Sequence, residues 1–134
     1  MSWDVLLLSI PAGFDSVSDL PRDYSPAPVG DGARVRQALR TAVPEVELDD
    51  PSWGVLTGPT WSIELNIGDE DPVESVMLHL HGGGDDVLPV VFRIATALGC
   101  RPVDCSNGEF LAEGDTGGWH AFQAFRDRVA APGR

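Results

Sequence analysis

Thr60–Gly99, TWSIELNIGDEDPVESVMLHLHGGGDDVLPVVFRIATALG, is the stretch whose reading decides the fold. In 60–67 the odd positions Trp61, Ile63, Leu65 and Ile67 are apolar, and the even positions Thr60, Ser62, Glu64 and Asn66 are polar. In 74–81 Val76, Leu78 and Leu80 are the apolar set, while Ser75, Met77, His79 and His81 occupy the other face. A period of two sends successive side chains to opposite sides of a strand, so each segment reads as a strand with one buried and one wet face. The acidic segment 68–73 joins them as a hairpin. Side chains opposite one another in a ladder share a face, so odd apolar positions must meet even ones. A turn over 68–73 predicts Glu64 opposite Met77, Ser62 opposite His79 and Thr60 opposite His81; a neighbouring register of the same parity shifts these pairs and keeps the faces. Gly82–Gly84 then leads to Asp85 and Asp86, either of which suits a helix N-cap. Residues 87–98 are apolar nearly all round, which predicts the most buried helix of the chain. Pro89 is tolerated in a first turn, and Gly99 suits the position after the last.

Upstream, WDVLLLSI over 3–10 is almost continuously apolar and reads as a central strand ended by Pro11. Residues 11–30 hold prolines at 11, 21, 26 and 28 and read as a long loop pinned by Phe14, Leu20 and Tyr24. Asp31 is the expected N-cap of a helix whose Val35, Ala38, Leu39, Ala42 and Val43 recur at helical spacing. EVELDDPS reads as an acidic connector and Trp53–Thr57 as a short strand. Downstream, 101–105 reads as a strand that brings Cys105 to the core, with a second short strand over 108–112 after the Ser106-Asn107-Gly108 turn. A last helix from about Thr116 presents Trp119, Phe122, Phe125 and Val129 as its apolar stripe, and AAPGR reads as a frayed tail. The order β-α-β-β-β-α-β(β)-α predicts an α+β fold in a single domain over 1–134. It should be a two-layer sandwich with a mostly antiparallel sheet and helices on one face. The middle of this order is close to a split βαβ plan with an added strand.

Charge narrows the functional classes. There are 21 acidic and 9 basic residues, a net charge of −12, and every basic residue is arginine. Nucleic acid and anionic membrane are disfavoured as partners, because phosphate binding needs clustered cations. A cationic protein surface is favoured. No apolar run approaches the roughly 20 residues that span a bilayer. The opening MSWDVLLLSIP lacks a basic n-region, so the expectation is a cytoplasmic protein. Cys100 and Cys105 are expected to be free thiols.

Four groups of residues invite chemistry. Alternation puts His79 and His81 on one face, about 6.5–7 Å apart. Two imidazoles so placed can share a metal with Asp85 or Asp86, but no third ligand is fixed by spacing, and wet-face histidines need no metal. No metal or cofactor is therefore assigned. Gly82–Gly84 lies between strand and helix, where phosphate loops occur, yet lacks their motif, and two aspartates follow it. Asp104, Ser106 and Glu109 form a polar cluster that a turn already explains. Cys105 with His120 rests on no spacing rule. Finally, Glu45, Glu47, Asp49 and Asp50, then Asp69, Glu70 and Asp71, then Asp85 and Asp86 could form one negative patch or simply a solvated surface. The partner-binding set taken from this reading is Glu64, Asn66, Asp69, Glu70, Asp71, Met77, His79 and His81. No catalytic residue is assigned.

The segments WSIELNIG, SVMLHLHGGGD and VDCSNGEFL together resemble a pattern in small bacterial proteins of mostly unassigned function. Some of these are similar to the immunity proteins of polymorphic toxin systems. The pattern covers Trp53 to Leu111 and is made of fold-determining and turn residues. The resemblance implies a small α+β protein that binds and blocks one cognate toxin, with no catalytic motif. Two other classes compete: a small metal-dependent enzyme using His79 and His81, and a general protein-interaction adaptor.

Overall fold

The computed structural model describes residues 1–130. The strands are β1 (Trp3–Leu8), β2 (Glu47–Asp50), β3 (Trp53–Thr57), β4 (Trp61–Asn66), β5 (Val76–Gly82), β6 (Arg101–Asp104) and β7 (Glu109–Phe110). The helices are α1 (Gly32–Ala42), α2 (Val87–Ala97) and α3 (Gly117–Ala130). All seven strands form one antiparallel sheet in the order β2-β3-β4-β5-β1-β6-β7. The fold is α+β. β5 lies between β1 and β4, antiparallel to both, so β1 and β4 run parallel with a strand inserted between them. That is the split βαβ plan, widened by β2 and β3 on one side and β7 on the other.

Alternation sorts the side chains as expected. Trp3, Val5 and Leu7 of β1, Ile63 and Leu65 of β4, and Val76, Leu78 and Leu80 of β5 are buried on one face. Val35 and Leu39 from α1, Val43 just after it, and Val87, Val91 and Ile94 from α2 join the same core. α2 buries five residues against three in α1 and one in α3, in keeping with its apolar sequence. Asp31 caps α1 by accepting the Arg34 N–H at 2.8 Å. Gly99 takes the left-handed φ of +65° that ends α2.

Several expectations are corrected. The β4–β5 register is two residues away from the one expected, pairing Glu64 with His79 and Ser62 with His81. The parity, and so the faces, are unchanged. Val73 stands outside the hairpin ladder: its carbonyl accepts the Val29 N–H and its own N–H donates to Gly30 O. The acidic connector contains a strand, β2, on the sheet edge, where charged side chains face water and guard an open edge. Cys105 is exposed, because β6 ends at Asp104 and Pro102 and Asp104 take the inward positions. Asp86 occupies the N-cap position of α2 without capping it, since its carboxylate accepts the Trp61 indole N–H at 3.0 Å. Only Trp119 of the α3 stripe is buried. Of the frayed tail, 131–134 lie outside the described residues.

Candidate functional site

The face of the sheet that carries no helix is the candidate site. Register brings its side chains into rows across the strands. One row runs Val55, Glu64, His79, Asp4 over β3, β4, β5 and β1. The next runs Trp53, Asn66, Met77, Leu6 over the same strands, and Val103 and Phe110 continue it. The first row holds two carboxylates and one imidazole; the second is largely apolar.

Hydrogen bonds hold this polar row, with His81 joining from the neighbouring row beside Ser62. His79 Nδ1 lies 2.8 Å from Asp4 Oδ1, and His81 Nε2 lies 2.7 Å from Glu64 Oε1. The Ser2 hydroxyl donates to the same Asp4 oxygen. Trp53 reaches across β4 and stacks on His79, with ring centroids 5.8 Å apart and planes 21° apart. The carboxylates keep 38% and 39% side-chain exposure, so a partner can reach them. Partial desolvation of its sulfur and the Asp4 charge both push the neighbouring Cys105 thiol up from its ordinary range. Arg101, a cation on the same face, lies 3.6 Å over the Phe110 ring and donates to backbone carbonyls of the 11–30 loop.

The residues taken from sequence as partner-binding divide into two groups. Glu64, Asn66, Met77, His79 and His81 share this face. Asp69, Glu70 and Asp71 lie in the β4–β5 loop at the sheet end, where Asp71 accepts the Gly32 N–H at the start of α1. The backbone contacts of Ile67 and Gly68 with Ser52 bring that loop beside the β2–β3 turn and its acidic residues. Asp85 and Asp86 follow β5 at its opposite end. The three acidic segments therefore do not make one patch. Asp4 and Trp53 belong to the site and were not named from sequence. Asp4, the one charge in an otherwise apolar strand, was the available signal.

The other chemical candidates are used structurally. Asp85 pairs with His120 at 2.7 Å, so it joins neither strand histidine, and His120 does not face Cys105. Among the described residues no three His, Cys, Asp or Glu side chains converge as metal ligands. Asp104 is buried and accepts the Ser106 N–H and hydroxyl. The three glycines dock the helical end of the molecule. Gly82 O accepts from Arg126, Gly83 O from the Thr60 hydroxyl, and Gly84 O from the Trp119 indole. Gly83 N–H bonds Thr60 O. A Cβ on Gly82 would lie 2.3 Å from Thr60 O, at a φ of +90°. Close backbone approach explains this run.

No helix among the described residues is long and apolar enough to cross a membrane. Compared with known protein families, curated proteins and solved structures, the chain has no significant match to any.

Proposed function

We propose that this chain is a non-enzymatic acidic binding protein, an immunity protein that neutralises a cognate bacterial toxin in the cytoplasm by covering a basic surface of it. The observation that carries the reading is the open sheet face, where Glu64, His79 and Asp4 form one cross-strand row with Trp53 stacked beside it. Strands hold these groups in fixed register, so little side-chain freedom is lost on binding. Trp53 supplies a broad apolar surface of the type enriched in interface anchors. The carboxylates supply the charge that recognises arginine or lysine. A net charge of −12 accelerates encounter with a cationic partner. His81 has both ring nitrogens in hydrogen bonds, Nε2 with Glu64 and Nδ1 with the Met1 carbonyl, which favours a role in orienting these groups over one in holding a metal.

Inhibition would come from occlusion, with no bond made or broken. The test is co-expression with the C-terminal domain of any large toxin-type open reading frame found beside its gene. The reading expects restored growth and a complex that survives purification. Absence of both rescue and complex contradicts it.

A further inference from the structure

We propose that the β2–β4 part of the open sheet face is a guanidinium site, where the protein partner presents an arginine. The inference rests on the binding role proposed above and names the side chain that this face takes. Register supplies the first observation. Glu47 pairs with Val55 and Asp50 with Trp53, and residues opposite one another in a ladder share a face. Leu56 is buried in the core, so Trp53 and Val55, which alternate with it, stand on the open side. Glu47 and Asp50 are three residues apart, and the register shift between them turns both to that side. Three carboxylates thus surround the Trp53 position. Asp50 lies directly across the ladder, and Glu47 and Glu64 lie on the diagonals.

These carboxylates have capacity to spare. Glu47 is exposed and in no ion pair among the described residues. Glu64 uses Oε1 for His81, and Asp50 uses Oδ1 for Ser52, so each has a second oxygen to offer. β2, β3, β4 and β5 contain no arginine to neutralise them. The far end of the Trp53 row shows the complementary arrangement: it finishes at Phe110, and the guanidinium of Arg101 lies 3.6 Å over that ring. Among the described residues no guanidinium covers Trp53. Indole offers a cation the best of the aromatic faces. A planar guanidinium can stack on the ring and bond carboxylate oxygens in the same pose, whereas a lysine ammonium is a strongly hydrated point charge. Ring and carboxylates together therefore select arginine over lysine.

NMR titration of the isotope-labelled chain with N-acetyl-arginine amide and, separately, N-acetyl-lysine amide tests this at low salt, where exposed charges are least screened. The two probes carry the same charge, so general attraction to an acidic chain is equal for both. The arginine probe should move the Trp53 indole N–H and the β2–β4 amides, saturating with a Kd of about 1–10 mM. The lysine probe should bind at least about threefold more weakly. Trp53→Leu should erase that preference with circular dichroism unchanged. Glu47→Gln combined with Glu64→Gln should weaken the arginine probe at least about threefold, and it decides the matter if Trp53→Leu does not fold. Equal binding of the two probes overturns the proposal. So does an arginine preference that survives Trp53→Leu, an arginine affinity unchanged in the double variant, or shifts confined to other parts of the chain. No toxin enters this experiment. Its failure would leave rescue in co-expression standing, and failure of rescue would leave an arginine-selective site standing.

Discussion

Glu64 faces His79 across the β4–β5 ladder, yet its carboxylate bonds the next imidazole along the strand, His81, while His79 is held from the other side by Asp4. Diagonal neighbours on one sheet face lie within reach of long side chains. Each histidine therefore has its own carboxylate, and the row is ordered before any partner arrives.

These pairs are partly exposed, and such pairs contribute about 0–1 kcal/mol to stability. Asp4→Asn and Glu64→Gln should each leave the unfolding midpoint in urea nearly unchanged. If the proposed immunity role holds, protection in the co-expression test should fall for each and fall further for the double variant. Growth rescue and urea unfolding, measured on the same variants, separate the two effects.

Gly118 lies in the first turn of α3, against the buried Asp104. A Cβ there would lie 2.4 Å from Asp104 Oδ2 and 3.1 Å from Trp3 Cζ2. Alanine normally gains about 1 kcal/mol over glycine inside a helix. Here overpacking should reverse the sign, and Gly118→Ala should cost about 1–3 kcal/mol in urea unfolding. Gly114, at a φ of +83° with open space around it, should cost only about 1–2 kcal/mol as alanine, from backbone strain alone.

Trp3 and Trp119 are equally buried, with ring centroids 5.6 Å apart, but their indole nitrogens differ. Trp119 Nε1 donates to Gly84 O at 3.1 Å, and Trp3 Nε1 is buried with no acceptor among the described residues. Phenylalanine removes a similar volume at either position. Trp119→Phe should cost about 1 kcal/mol more than Trp3→Phe, because only it loses a hydrogen bond. Equal losses in thermal or urea unfolding would contradict this assignment.

Burial pushes the Cys100 thiol up to about 11 from an ordinary value of 9.0. Below pH 9 the thiol is protonated in both the folded and the unfolded chain, so it adds no pH dependence. From about pH 9 to 11 the unfolded chain ionises first, and stability should fall as pH rises. Cys100→Ala should flatten this alkaline slope relative to wild type. The two proteins should show the same pH dependence between pH 7 and 8.5.

The faces of the central hairpin were legible because burial on one side imposes a period of two on the sequence. Parity survives a register shift of two residues, so Glu64, Met77, His79 and His81 were correctly grouped without the pairing being right. The pairing itself leaves Val73 outside the ladder, bonded to Val29 and Gly30, residues more than forty positions away. No local pattern carries that contact. Asp4 and Trp53 were missed for a related reason: they join the site only through the order β3-β4-β5-β1, and alternation along single strands does not specify which strands are neighbours. The α3 stripe had the spacing of a core face, but helical spacing marks an apolar side and not what covers it. The glycine run looked like a ligand loop because its constraint, backbone packed against Thr60, Trp61 and Gln123, comes from distant residues.

The most direct test of the binding account is isothermal titration of the purified protein with the purified C-terminal domain of a toxin-type reading frame found beside its gene. The account predicts a saturable complex with one domain per chain and a Kd of about 1 µM or tighter. It further predicts at least about tenfold weakening when Asp4→Asn and Glu64→Gln are combined. No heat of binding and no complex at concentrations near 100 µM would contradict it.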